Sequence, residues 1–239
     1  MKKGGQIFIF IIIAIALIAA VAVYFFAVRS PENSSTDIVP IQSFITDCIG
    51  QTTREAVYII GQSGGYVTLP EKSTANAIAI YFDKGTVLMP SRETMEHELN
   101  TFVNEALLFC TQHFYSFEDV EVEEGEITTR GIIKESTIDF NVHYPLAIKK
   151  GTQMHHLENF EMSIESNLFH IHAFLEEYMK EQTTYTDSLC IGCLARIAQT
   201  YNLQTEILDY DAETVIIGVV DPYLEINDEP YRFYIALRF

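Results

Sequence analysis

The chain has 239 residues and a net charge of −18, from 33 acidic and 15 basic side chains. Three of the basic residues (Lys2, Lys3 and Arg29) lie at the N-terminal end, and every acidic residue follows them, which leaves the remainder at −21. Such a surface repels nucleic-acid phosphates and anionic headgroups, so nucleic acid is excluded as a partner; abundant, periodic Ile, Leu, Val, Phe and Tyr exclude a disordered acidic tail.

Residues 7–28 are an unbroken run of 22 without a charge. A helix of that length reaches about 33 Å, enough to cross the hydrocarbon core of a bilayer. A cleaved secretory signal has an apolar region of only about 7–15 residues, so the run predicts a retained transmembrane anchor. Lys2 and Lys3 precede it and only Arg29 follows closely. That bias predicts residues 1–6 in the cytoplasm and a single pass, with the C-terminal domain outside. Residues 29–39 are polar and contain Pro31, and read as a tether. Within it, Asn33-Ser34-Ser35 is a glycosylation acceptor triplet. Met1-Lys2-Lys3-Gly4-Gly5-Gln6 resembles archaeal type IV pilin leaders, which place Lys/Arg-Gly and often Gln at the processing site. That resemblance implies a minor pilin-like subunit. The extra Gly and the missing Glu soon after it depart from the pattern, and a plain anchor with a basic start accounts for the same residues.

From residue 40 to 239 the pattern predicts one extracytoplasmic α+β domain. Ile41, Phe44, Ile45, Cys48, Thr52, Ala56 and Ile59 form one stripe of an amphipathic helix that stops at Gly61. Segments 78–82 and 86–89, joined by Asp83-Lys84-Gly85, read as a hairpin. Ser91 is positioned to cap a second helix with the stripe Met95, Leu99, Phe102, Val103, Ala106 and Cys110. Residues 117–166 read as an antiparallel meander. Helices at 167–182 and 188–201 follow, and then strands at 205–208, 214–220 and 231–239. The expected architecture is a transmembrane helix, a helix pair, an antiparallel meander and a second helix pair.

Cys48 in a first helix, Gly64-Gly65-Tyr66, Pro70, a helix ending at Cys110, Tyr144-Pro145-Leu146, Cys190-x-x-Cys193-Leu194 and an aromatic C-terminal strand resemble a group of archaeal single-pass membrane proteins. These share the Lys-Gly-Gln type start. The resemblance implies an anchor and a Cys-containing α+β ectodomain, and it brings no activity with it.

Four cysteines in an exported domain point to disulfides. If the first two helices pack antiparallel, Cys48 and Cys110 meet on their apolar stripes. Cys190-Ile191-Gly192-Cys193 falls at a helix start, where Asp187 or Ser188 can cap and the positive helix end would stabilise a thiolate. The same cysteines lie on an apolar stripe with Leu194, Ile197 and Tyr201, which reads as a buried structural bridge. His155-His156 and His170-x-His172 invite a metal reading, but His172 shares a stripe with Leu168, Leu175 and Met179, as a packed core residue would. The acidic stretch 118–126 alternates with Val120 and Val122, as a solvated strand face does. Gly61-Gln62-Ser63-Gly64-Gly65 matches a hydrolase nucleophile elbow in letters only, because a helix precedes it and strands follow. No catalytic residue, metal or cofactor is implied. The expectation is a binding or assembly module of the cell envelope with a protein partner; the alternatives are a thiol–disulfide oxidoreductase using Cys190 and Cys193, or a pilin-like subunit.

Overall fold

The computed structural model describes residues 38–239 except Asp211, Asn227 and Asp228. The anchor at 7–28, most of the tether and Asn33 lie outside the described residues. Among those described, no helix is long and apolar enough to cross a membrane. Ile41–Phe239 forms one compact α+β unit.

Helix α1 (Val39–Ser63) buries Ile41, Ile45, Cys48, Ile49, Ala56, Val57 and Ile60 along the face its spacing sets. It stops where the Gly65 N–H reaches back to the Ile60 carbonyl at 2.6 Å. Strands β1 (Ile80–Asp83) and β2 (Thr86–Val87) form the short hairpin. Its two turn residues, Lys84 (φ 48°) and Gly85 (φ 90°), are both left-handed, as a two-residue hairpin turn requires. Helix α2 (Arg92–Thr111) starts at Ser91, whose Oγ accepts the Thr94 N–H at 3.2 Å. It runs into a tight turn, Gln112–Phe114, in which all three residues have positive φ (45°, 51° and 58°).

Strands β3 (Glu121–Glu124), β4 (Thr128–Ile133), β5 (Thr137–Lys150) and β6 (Gln153–Glu165) make one antiparallel sheet. It is not the simple meander expected. β3 and β4 do not pair with each other; they lie end to end along one edge of β5, and β6 takes the other edge. The outer edge of β4 is covered by α2. Asn100 Oδ1 accepts the Gly131 N–H at 2.5 Å, and Glu96 Oε1 accepts the Ile133 N–H at 2.8 Å. Four residues of helix rise about 6 Å and two residues of strand about 6.7 Å, so one helix face can serve alternate strand N–H groups. An open edge is thereby closed to other chains.

Helices α3 (Leu168–Gln182) and α4 (Ile191–Thr200) follow, then β7 (Gln204–Tyr210), β8 (Thr214–Ile226) and β9 (Glu229–Arg238). The second sheet has the order β2-β1-β9-β8-β7. β1 and β9 pair in parallel, while the other described pairs are antiparallel. β8 is buried continuously from Val215 to Asp221, as a central strand covered on both faces must be. The second half of α1 rests on β9: the Tyr231 hydroxyl donates to the Val57 carbonyl at 3.1 Å. A Cβ at Gly61 would stand 2.6 Å from the Arg232 carbonyl oxygen, so only glycine allows this approach.

Candidate ligand cleft

The β8–β9 ladder is regular from Thr214 to Asp221 and then breaks. Asp221 faces Tyr231 and Glu225 faces Pro230, so Pro222, Tyr223 and Leu224 bulge from β8 with no partner on β9. Pro222 has no N–H to give to a ladder, which suits it to the bulge. Bulges re-aim side chains. Here Tyr223 is left 85% exposed, while Asp221 remains 4% exposed beside it. Asp221 Oδ1 accepts the Tyr223 N–H at 2.9 Å, which fixes the carboxylate against the bulge.

Two adjoining hollows open around this bulge. One, of about 720 Å³, is lined by Asn167, His170, Asp221 and Tyr223 with the α4–β7 turn, Thr200, Tyr201 and Asn202. The other, of about 410 Å³, shares those first four residues and extends over the β4–β5 turn and the end of β6, through Glu135, Ser136, Thr137, Glu165 and Ser166. Both volumes lie in the range of small-molecule sites. Asn167 is the N-cap of α3, yet its side chain makes no capping hydrogen bond. The His170 ring packs edge-on against Phe169 at 5.4 Å between centroids, and the Arg92 guanidinium covers Phe169 at 4.6 Å. The Tyr201 hydroxyl donates to Glu177 Oε2 at 3.3 Å, and burial, reinforced by that carboxylate, raises the phenol pKa. No Lys or Arg lines either hollow. The lining offers carboxylates, amides, hydroxyls and two tyrosine faces, a set suited to binding.

The singled-out cysteines stand elsewhere. Cys48 of α1 is bridged to Cys110 of α2, with Cα atoms 5.7 Å apart, and Cys190 is bridged to Cys193, with Cα atoms 5.3 Å apart. Cys190 is itself the N-cap of α4, in place of Asp187 or Ser188, and its Sγ accepts the Cys193 N–H at 3.3 Å. Both sulfur-bearing residues are buried, at 8% and 9% exposure. The preceding loop is gathered by buried Gln182, whose side chain accepts the Cys190 N–H at 3.0 Å and donates to the Tyr185 and Ser188 carbonyls. His172 is core, with Nε2 against the Pro90 carbonyl at 3.1 Å. His155 and His156 lie on β6, and among the described residues no three His, Cys, Asp or Glu side chains converge as metal ligands would. Ser63 donates to the Ile59 and Tyr66 carbonyls, as a helix-end residue does. In the acidic stretch, Glu121 pairs with Lys149 at 2.7 Å and Glu124 with His113 at 3.0 Å.

No family model matches the chain, and no curated protein or solved structure does either. Of the residues shared by the two hollows, the sequence singles out His170 alone, and as a metal candidate rather than part of a cleft. The one local signal was Asp221-Pro222, a charge and a ladder-breaker ending the apolar run of 215–220.

Proposed function

We propose that the chain is a single-pass, membrane-anchored binding module of the cell envelope. Its N-terminus is cytoplasmic, and the 40–239 domain stands outside and takes a ligand in the cleft at the β8 bulge. The observation that carries this reading is the pair of hollows sharing Asn167, His170, Asp221 and Tyr223, walled by elements distant in sequence. The apolar run at 7–28, its flanking charges and the resemblance to archaeal anchored proteins support the topology.

The test uses the full chain in detergent micelles. A panel of neutral sugars, amino acids, amines and organic anions is screened by thermal shift against wild type and a Tyr223→Ala, Asn167→Ala variant. A ligand that binds only the folded state raises the melting temperature by linkage. The reading expects at least one class to shift the wild type and spare the variant; if no class does so, the cleft is not a binding site. Thiol–disulfide exchange is a second reading. It is favoured by Cys190 at the head of α4 and opposed by the burial of both sulfurs.

A further inference from the structure

Taking the cleft as the binding site, we propose that its ligand is an organic cation with more than one ammonium group, held where the two hollows meet by Asp221 and Tyr223. Among the described residues, two aspartates are deeply buried, and their surroundings differ. Asp83, 8% exposed, is gripped by Lys72 and Arg238. Asp221, 4% exposed, takes part in no ion pair among the described residues and is bonded by the Tyr223 backbone N–H. A carboxylate buried without a countercharge is costly, and a cation entering the cleft would offset that cost.

The rest of the lining selects for the same chemistry. Tyr223, largely exposed, lines both hollows together with Asp221 and offers a ring face for an ammonium. Across the shared wall, Glu135 and Glu165 line the second hollow and can receive a second ammonium. A phosphate or carboxylate ligand would meet three carboxylates and no Lys or Arg. A neutral sugar would find hydrogen bonds but leave the charge of Asp221 uncompensated. The net charge of −21 beyond Arg29 concentrates cations at the surface and speeds their arrival. A free polyamine and the lysine side chains of a peptide share this chemistry.

The experiment is isothermal titration of the full chain in micelles at physiological salt, with spermidine in one arm and end-blocked trilysine in the other. Saturable binding of either is expected, with the responding arm identifying the source. Asp221→Asn, which keeps the acceptor for the Tyr223 N–H, should weaken it by about tenfold or more. Glu105→Gln, an exposed charge on α2, should leave it within about twofold. Should Asp221→Asn fail to fold, Tyr223→Ala should weaken binding about three- to tenfold, and Tyr223→Phe, which keeps the ring face, should restore it. Binding of neither cation, or equal loss in Asp221→Asn and Glu105→Gln, overturns the ammonium assignment. If maltotriose binds instead and is lost in Tyr223→Ala, the cleft stands and the ammonium chemistry falls. If no probe responds to either cleft variant, the binding-module reading falls with it.

Discussion

Arg238 holds Asp83 through two parallel hydrogen bonds, Nε to Oδ1 at 2.8 Å and an Nη2 bond to Oδ2 at 2.9 Å. The two residues face each other in the parallel β1–β9 register, and Lys72 Nζ adds a third contact at 2.6 Å. These hydrogen bonds hold the Asp83 carboxyl well below the usual carboxylate range. A carboxyl with a depressed folded pKa contributes stability above its unfolded value near 4 and loses it as pH falls toward the folded value. Asp83→Asn should therefore cost about 2 kcal/mol at pH 7, a discounted figure because Lys72 and Arg238 remain partly hydrated. The variant's deficit should shrink below pH 4. Urea unfolding at pH 7 and pH 3 measures both; an equal deficit at the two pH values contradicts the assignment.

His172 works in the same direction at a higher pH. Burial lowers its pKa, against the raising effects of the Pro90 carbonyl, Glu176 and Glu93, with Arg92 adding to the lowering. The imidazole is therefore neutral in the fold, and stability should fall as pH drops below about 6.5, where the unfolded chain takes up a proton and the folded one resists it. His172→Gln keeps a donor for Pro90 and cannot titrate. Its stability between pH 7 and 5 should be flatter than wild type when the melting temperature is followed, and a parallel pair of curves would refute this.

The covered edge of β4 predicts a third effect. Asn100→Ala strips the acceptor from the half-buried Gly131 N–H and should cost about 1–3 kcal/mol. Gly131→Ala should be as damaging, since its Cβ would stand 2.9 Å from Phe140 Cε1 and 3.0 Å from Asn100 Oδ1. Denaturant midpoints read both, and losses under 0.5 kcal/mol, the level of a neutral surface change, would mean that water replaces the helix along this edge.

What could be read from the sequence follows how local each cause is. The cap at Ser91 and the Lys84-Gly85 turn are each decided within a few neighbours and lie where the pattern put them. The α1 stripe holds at Ile41, Ile45, Cys48, Thr52 and Ala56, while Val57 and Ile60 take the buried place expected of Ile59. The β1–β9 pairing was not legible, because Ile80 meets Ala236 across most of the domain and no periodicity encodes a partner. The two-on-one-edge arrangement of β3 and β4 was hidden for the same reason. Cys190 capping its own helix was missed because Asp187 and Ser188 are better cap formers and the buried Gln182 bonds that pull the loop past them are tertiary. The cleft joins a bulge, a helix start and two turns, so its residues carry no shared spacing in the chain.

The Cys48–Cys110 bridge closes a loop across 62 positions and is followed directly by the left-handed turn at Gln112–Phe114. Cys48→Ala should lower stability by roughly 2–5 kcal/mol. Three non-glycine residues at positive φ add local strain of about 1 kcal/mol or more each. The turn is held down by burial of Phe114 against Phe44, Phe117 and Tyr144, whose phenol is pushed up to about 12 by that burial. Gln112→Gly should accordingly raise stability, by about 0.5–1 kcal/mol, in thermal unfolding. A destabilised variant would show that the left-handed conformation carries no strain there.

The Cys190–Cys193 bridge gives the last prediction, because it separates the two functional readings. Exchange chemistry needs an exposed sulfur with a lowered pKa that a partner can reach. Here both cysteines are buried, Gln182 pins the backbone N–H of Cys190, and the sulfur of Cys190 is committed to the Cys193 N–H. After gentle reduction of the folded chain, both thiols should react slowly with iodoacetamide from pH 6 to 9, and faster only when urea opens the domain. Gln182→Ala should speed that reaction by loosening the 183–190 loop, since its side chain also holds the Tyr185 and Ser188 carbonyls. A Cys190 that reacts rapidly in the native wild type, with an apparent pKa well below the ~8.5 of a free thiol, would instead assign the domain to disulfide exchange.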